Sequence, residues 1–303
     1  MTITAVWHTA NPMMNQVGLT AEGAEGYVVN WGDGQAQRIV PHDAGETLAT
    51  ALHEYQADGI YRVVVNDRPN DAATAPVSLR AYVFTHDTLG LDLRGTGASD
   101  IFLGGSGPDR FNAGLGDDWI LSGAGDDSVL GGGGNDYLFG GVGHDTLRGG
   151  EGADTVAGGQ GTDLLFGDAG YDILLGHMGD DRLDAGADGA RLNGEEGSDV
   201  LIGGSGADTF VVWAAEDSAV GAADRVRNFE QGKDLLDVFD VFESGFAFIG
   251  SGAFSGAGDE VRAVTNRSQT IVYGDIDGDR VADFQLTLEG IYTLTATDFG
   301  LVV

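Results

Sequence analysis

Aspartate recurs at every ninth residue through the middle of this 303-residue chain: Asp100, Asp109, Asp118, Asp127, Asp136, Asp145, Asp154, Asp163, Asp172, Asp181, Asp199 and Asp208, with Ala190 taking the one remaining place in the series. A carboxylate is a hard oxygen ligand, so such a series is chemistry for calcium and not for zinc or copper, which draw on imidazole and thiolate. Pairs of glycines stand four and two residues before the aspartates: Gly105 and Gly107, Gly114 and Gly116, Gly123 and Gly125, Gly132 and Gly134, Gly141 and Gly143, Gly150 and Gly152, Gly159 and Gly161. Glycine enters backbone conformations closed to residues with a Cβ, so the chain can bend there and aim carbonyl oxygens inward beside the carboxylates. Two residues after every place in the series an apolar side chain follows, from Phe102 and Phe111 to Leu201 and Phe210. That position has the regularity of a core and not of a ligand.

The elements that must hold these aspartates are copies of one nine-residue phrase, thirteen of them over 95–211 without insertion or deletion; GGSGPDRFN at 104–112 is one statement of it. Each copy reads as a six-residue turn and a three-residue strand. Two copies then make one coil, with parallel strands stacking about 4.8 Å apart in two facing sheets. A flexible glycine-rich linker would have no reason to keep an apolar residue at every ninth place. The phrase GGxGxDxUx, with U apolar, is that of the RTX, or hemolysin-type, calcium-binding repeat, and 95–211 resembles that family. The resemblance implies a parallel β-roll with an ion between copy n and copy n+2.

Thirteen copies make eleven such pairs. The copy at 185–193, AGADGARLN, has Asp188 in place of a glycine and Ala190 in place of the ligand, and it spoils two pairs. The copy at 95–103, GTGASDIFL, has Thr96 and Ala98 for two glycines and spoils a third. About eight calcium ions are therefore expected in the roll, five on the edge that starts at Gly104 and three on the edge that starts at Ala113. Strand alternation predicts that the outer face of the odd-numbered copies, with Trp119, Leu121, Tyr137 and Phe139, is more apolar than the even face and is covered by a flanking domain or a second chain.

Composition limits the partners. The chain has 48 acidic against 15 basic residues, a formal net charge of -33, 52 glycines and no cysteine. So acidic a molecule repels nucleic acid and anionic lipid, while multivalent cations suit it. Without disulfides, metal is the available staple for a protein that works outside the cell. The first residues show no basic stretch followed by an apolar core, so no cleavable signal peptide is expected, and no apolar run approaches the length of a membrane span.

Three domains are expected, all β: 1–90 as a β-sandwich, 95–211 as the roll, and 212–303 as a β-rich cap. In the first, short β-type runs alternate with turn chemistry, including the Asp-Gly turn at 31–34. The matched positions Trp31, Gly32, Asp33, Gly34, His53, Tyr55, Gly59, Tyr61, Val63 and Val65 resemble the PKD-type domain, which implies a sandwich. His53 and Glu54 do not make the zinc-protease motif, because Ala57 stands where its second histidine would be. Neither a G-x-S-x-G nucleophile elbow nor a Walker A loop is present, and no catalytic constellation is recognisable.

In the last domain, Asp208, Phe210, Asp224, Phe229, Gly232, Asp234, Asp237, Asp283, Phe284, Gly290, Asp298 and Phe299 resemble the C-terminal segment of serralysin-type secreted proteases. The resemblance implies export by a type I transporter that reads an uncleaved C-terminal signal, here the acidic-then-apolar residues 298–303; the protease activity does not carry over. Asp275, Asp277, Asp279 and Asp283 have the spacing of a calcium loop and form a candidate site for one further ion. The function expected is that of a secreted, calcium-folded, non-enzymatic protein acting in surface or matrix adhesion, polysaccharide binding or self-association, with recognition at the flanks of the roll. The alternative is a carbohydrate-active or other exoenzyme, or an accessory module to one.

Overall fold

In the first 88 residues of the computed structural model, strands alone are described: Ile3–Ala5, Gln16–Glu22, Tyr27–Asn30, Ala36–Ile39, Leu48–Glu54, Gly59–Asp67 and Val77–Val83. Residues 89–242 and 245–300 are described in full. The turn at 31–34 and Tyr55 lie outside the described residues, as do 301–303, and His53 is described as strand backbone only.

Nearly every element is a strand, and the two faces of the central solenoid are two large sheets. The odd-numbered copies stack in parallel in one sheet and the even-numbered copies in the other, each pairing with the copy eighteen residues on. Most repeat strands span six residues and not three, as in Trp119–Ala124 and Ser128–Gly133. The extra length comes from the first residues of the following copy, whose glycines also pair in register, Gly114 with Gly132 and Gly123 with Gly141. A glycine run can join a ladder here because nothing beyond backbone has to fit between the two strands.

The apolar position of every copy points into the seam between the sheets. Ile120, Leu138, Leu147, Val156, Leu165, Leu174, Leu183, Leu192 and Leu201 are all fully buried. Each buried aliphatic side chain contributes about 1.5–3 kcal/mol, and the one-per-copy supply fills an interior only one side chain deep on each face.

The two ends of the roll are closed differently. At the N-terminal end, Val77–Val83 pairs parallel with Asp100–Leu103, and through it the antiparallel strands Gly59–Asp67, Tyr27–Asn30 and Ala36–Ile39 extend the odd sheet. The strands Ile3–Ala5, Gln16–Glu22 and Leu48–Glu54 form a separate antiparallel sheet. At the C-terminal end the parallel stacking continues past the last nonapeptide: Asp224–Arg227 adds to the even sheet and Leu235–Asp237 to the odd one. Antiparallel strands Glu260–Thr265, Gln269–Asp275 and Phe284–Glu289 then widen the even sheet. Phe210, Phe229 and Tyr292 pack in series behind the last coil, the first pair tilted and the second edge-on, and Phe242, Phe246, Phe248 and Phe299 form a second aromatic group. Asp298 accepts the Thr295 N–H at 2.7 Å and Phe299 is buried, so this acidic-apolar pair forms part of the fold.

On the odd outer face Ile101 and Leu103 are buried, and Trp119 and Tyr137 stack on each other at 4.7 Å in half-buried positions. Burial raises the Tyr137 hydroxyl above its ordinary pKa. The face is thus partly covered; Ile173 remains exposed.

Candidate metal centre

Stacking the turns places the aspartates in two columns, one along each edge of the roll. Each interior carboxylate divides its two oxygens between two tasks. Oδ1 accepts the backbone N–H of the aspartate eighteen residues earlier: Asp100 donates to Asp118 at 2.7 Å, Asp118 to Asp136 at 2.8 Å, Asp136 to Asp154 at 2.8 Å and Asp154 to Asp172 at 2.9 Å. On the other edge Asp109 donates to Asp127, then Asp127 to Asp145, Asp145 to Asp163, Asp163 to Asp181 and Asp181 to Asp199, all at 2.7–2.8 Å.

Oδ2 has no partner at Asp118, Asp136, Asp154 and Asp172 on the odd edge, nor at Asp127, Asp145, Asp163, Asp181 and Asp199 on the even edge, and all nine residues are buried. A buried carboxylate oxygen without a donor is costly, and here the cost repeats in register along both edges. Burial first, and the neighbouring carboxylates after it, push Asp118 up to about 8, Asp145, Asp154 and Asp181 to about 7, and Asp127 and Asp136 to about 6. An oxygen-seeking cation between successive turns removes both penalties.

The glycines make room for it. Gly114, Gly116, Gly123, Gly125, Gly132, Gly134, Gly141, Gly143, Gly150, Gly152, Gly159 and Gly161 all have left-handed φ, so the carbonyls of successive turns stack closely. A Cβ at Gly123 would strike the Gly105 carbonyl oxygen, and one at Gly125 would come within 2.6 Å of that of Gly107. The donor set is therefore carboxylate and carbonyl oxygen alone, which fits calcium.

Where the phrase departs from its pattern, the columns change. Thr96 supplies both its N–H and its hydroxyl to Asp100 Oδ2, at 2.7 and 2.9 Å, and so occupies the oxygen that an ion would use. Ala190 stands opposite Asp172 and breaks the odd column, although its own N–H still donates to Asp208 Oδ1 at 2.9 Å. Asp208 Oδ2 is bound to the Gly204 N–H at 2.8 Å. The unpartnered oxygens thus follow the two edges read from the sequence, with the odd edge ending at Asp172.

Two residues of the columns carry no nonapeptide around them. Asp224 Oδ1 accepts the Asp199 N–H at 2.9 Å, and Asp234 Oδ1 accepts the Asp208 N–H at 3.0 Å, so each edge gains a further rung. Their spacings of 25 and 26 residues hide them from a nine-residue count. The signal that remains is the triplet aspartate, any residue, apolar residue in Asp224–Arg225–Val226 and Asp234–Leu235–Leu236, with Val226 and Leu236 fully buried as in the repeats.

Outside the roll, Asp275, Asp277 and Asp283 bring one carboxylate oxygen each within 4.8 Å of one another. Asp279 is not in the group; its Oδ1 accepts the Val281 N–H at 2.7 Å. Both oxygens of Asp275 accept backbone N–H groups, from Gly278 and Arg280, so this loop is held by its own backbone.

A match to a known repeat family agrees with the columns. A family model described as the RTX calcium-binding nonapeptide repeat matches four times, at residues 94–129, 130–165, 157–189 and 189–218. The segment is an array of RTX calcium-binding repeats, and such repeats bind calcium. No curated protein sequence matches the chain. Among solved structures, the chain is similar to the solution structure of the AlgE6R3 subunit from the Azotobacter vinelandii mannuronan C5-epimerase, at 21% identity over 70% of this chain and 78% of that one, with a TM-score of 0.22. The AlgE6R2 subunit of the same enzyme matches at 25% identity over 50% of this chain and 89% of that one, with a TM-score of 0.27.

Proposed function

We propose that this chain is a secreted protein that folds on calcium and works without catalysis of its own, in surface or matrix adhesion, polysaccharide binding or self-association. The observation that carries this reading is the two columns of buried carboxylate oxygens without donors. They leave one of the two oxygens of each interior carboxylate unsatisfied until a cation supplies its contact. In a cytosol poor in calcium the repulsion within each column favours the open chain, and an open chain suits passage through a type I exporter. Outside, about millimolar calcium is within reach of the affinities that oxygen cages of this kind provide. The acidic-apolar residues 298–303 are the segment proposed to engage that exporter.

The non-enzymatic part of the proposal rests on the use each carboxylate already has. The aspartates of the columns hold the backbone ladder and the cation, so none is placed to act on a substrate. About eight ions belong to the nonapeptides, Asp224 and Asp234 extend the columns beyond them, and Asp275, Asp277 and Asp283 offer a place for one more. Circular dichroism and titration calorimetry on the full chain test this together. The β-signal is expected to appear on adding calcium and to vanish in chelator, with about eight or more ions bound and one fewer in Asp277→Asn. A β-spectrum that persists in excess chelator at pH 8, or two ions or fewer, would sink it.

A further inference from the structure

A molecule of net charge -33 repels its own copies over most of its surface, and that repulsion is weakest at the outer face of the odd sheet. Two outward residues flank each buried seam side chain of this sheet, and from Ile101 to Val211 none of them is a carboxylate. Arg191 is the one charged residue among them, and it is paired with Asp237 at 3.1 Å.

The face has relief as well as composition. Ile101 and Leu103 are buried at its N-terminal end and Val211 at its C-terminal end, so the open part lies between them. There two strands of large residues, Tyr137–Val142 and Asp172–Met178, flank the strand Thr155–Gln160. The register sets Tyr137, Thr155 and Ile173 in one row and Phe139, Ala157 and Leu175 in the next. Trp119 covers one face of the Tyr137 ring. On the other side Thr155 is too short to cover it, and Ile173 beyond is 36% exposed. Tyr137 and Ile173 stand two strands apart, about 10 Å, so the row holds a trough about one side chain wide over Thr155. The next row is closed, because His177 packs edge-on against Phe139 at 6.2 Å across the strand that carries the buried Ala157. The two ridges end in Val142 and Met178, 46% and 50% exposed.

We propose that two calcium-folded copies associate through this face about a two-fold axis, with Ile173 of each seated in the Thr155 trough of the other. A two-fold contact needs a surface that carries both members of the match, and a ridge beside its own trough does so. Ile173 then covers the open face of the partner's Tyr137 and completes the row that Trp119 begins. Facing sheets pack about 10 Å apart with their side chains interdigitated, which suits a trough of this width. Calcium favours the contact, since about eight divalent ions remove roughly half of the formal charge, and salt screens what remains over about 8 Å. The open part spans three strands of about six residues, roughly 300 Å² per copy, against about 800 Å² per partner in a standard interface. The association is therefore weak, as suits a protein concentrated on a surface or in a matrix.

The inference rests on the proposed calcium-folded, self-associating reading and names its partner and contact. Sedimentation equilibrium of the full chain in calcium tests it from about 1 µM to about 0.3 mM, the range that so small an interface requires. Wild type is expected to pass from a 31.3 kDa species to twice that mass, and more readily as sodium chloride rises from about 0.05 to about 0.5 M, because salt screens like charges and leaves apolar contact intact. Ile173→Glu enters a two-fold contact twice, so at about tenfold per copy its dissociation constant rises about a hundredfold. Thr155→Tyr fills the trough within its own chain and is expected to lose the dimer too, while its urea midpoint in calcium stays at or above that of wild type. That pairing separates a blocked interface from a damaged fold. Leu164→Glu, on the even face, is expected to dimerise as wild type does. A wild type that remains monomeric at about 0.3 mM, growth beyond the dimer, a dimer that survives Ile173→Glu and Thr155→Tyr, or equal loss in Leu164→Glu overturns the proposal. Circular dichroism of the same samples distinguishes the two failures: a calcium-dependent β-signal in a monomer refutes this inference and leaves calcium folding intact, whereas a missing β-signal refutes both.

Discussion

Replacing Asp145 by asparagine should change the stability of the roll in opposite directions with and without calcium. Asp145 lies in the middle of the even edge, 1% exposed, with Oδ1 accepting the Asp127 N–H at 2.8 Å and Oδ2 without a partner. Asparagine has nearly the same shape and can keep the Oδ1 acceptor, so the perturbation is the loss of one charge. In calcium that charge is missing from two adjacent sites, Asp127 with Asp145 and Asp145 with Asp163. A tenfold loss at each is about 1.4 kcal/mol per site at saturation, about 3 kcal/mol in all. In chelator the sign reverses. Burial, then the charges of Asp127 and Asp163, raise the Asp145 carboxyl from 3.8 to about 7. A raised carboxyl favours the fold while it is protonated, an advantage complete below about pH 4 and lost as pH climbs through about 7. At pH 8 the metal-free fold therefore carries a penalty on the order of 4 kcal/mol at this residue, at about 1.4 kcal/mol per pKa unit, and the neutral variant does not. Urea unfolding in calcium, followed by far-ultraviolet circular dichroism, should show a lower midpoint for Asp145→Asn. A pH titration in chelator from 5 to 8 should show its β-signal surviving to higher pH than that of wild type. Destabilisation under both conditions, or a wild-type β-signal that grows with pH in chelator, would refute the assignment of Oδ2 to the cation.

Two variants test the turns. Ala190→Asp combined with Asp188→Gly restores the phrase at the break in the odd edge, where Asp172 faces Ala190, and calorimetry should count one or two ions more than in wild type; an unchanged count would show that the break lies elsewhere. Gly161 has φ 135 and stands so close to the Gly143 carbonyl that a Cβ would overlap it, so Gly161→Ala should cost about 3 kcal/mol or more in urea unfolding in calcium, and a loss below about 0.5 kcal/mol would remove the reason given for the glycines.

The centre of this fold is legible because each local requirement there has its own residue type. Glycine marks the left-handed turns, aspartate the columns and an apolar residue the seam, and nine-residue spacing ties the three together. The substitutions were legible for the same reason: Thr96 and Ala190 stand out, and each changes the column where it sits. Strand length was not, because a glycine run reads as turn, while in the roll its backbone pairs with an identical run in the next coil. Asp224 and Asp234 were carried in the sequence by their place in a C-terminal pattern, and only stacking reveals them as rungs, since loops of other lengths break the spacing while leaving the parallel pairing intact.

The division of each carboxylate between a backbone donor and a cation also determines how the roll must fold. Oδ1 fixes the turn before it and Oδ2 is left for an ion, so an interior aspartate takes part in two successive sites, and filling one site orients the ligand of the next. Stability in such an array is a sum of nearest-neighbour terms along each edge, with the cost of starting concentrated in the first coil. On the even edge the ladder bonds run unbroken from Asp109 to Asp224, with unpartnered Oδ2 atoms at every aspartate from Asp127 to Asp199. The odd edge is cut at Ala190, where the ladder bond to Asp208 persists and the cation ligand does not. The last coils therefore lean on the even edge and on the aromatic contacts of Phe210, Phe229 and Tyr292, which need no metal. Calcium and apolar packing thus divide the length of the roll between them, with packing taking over where the ligands on one edge run out.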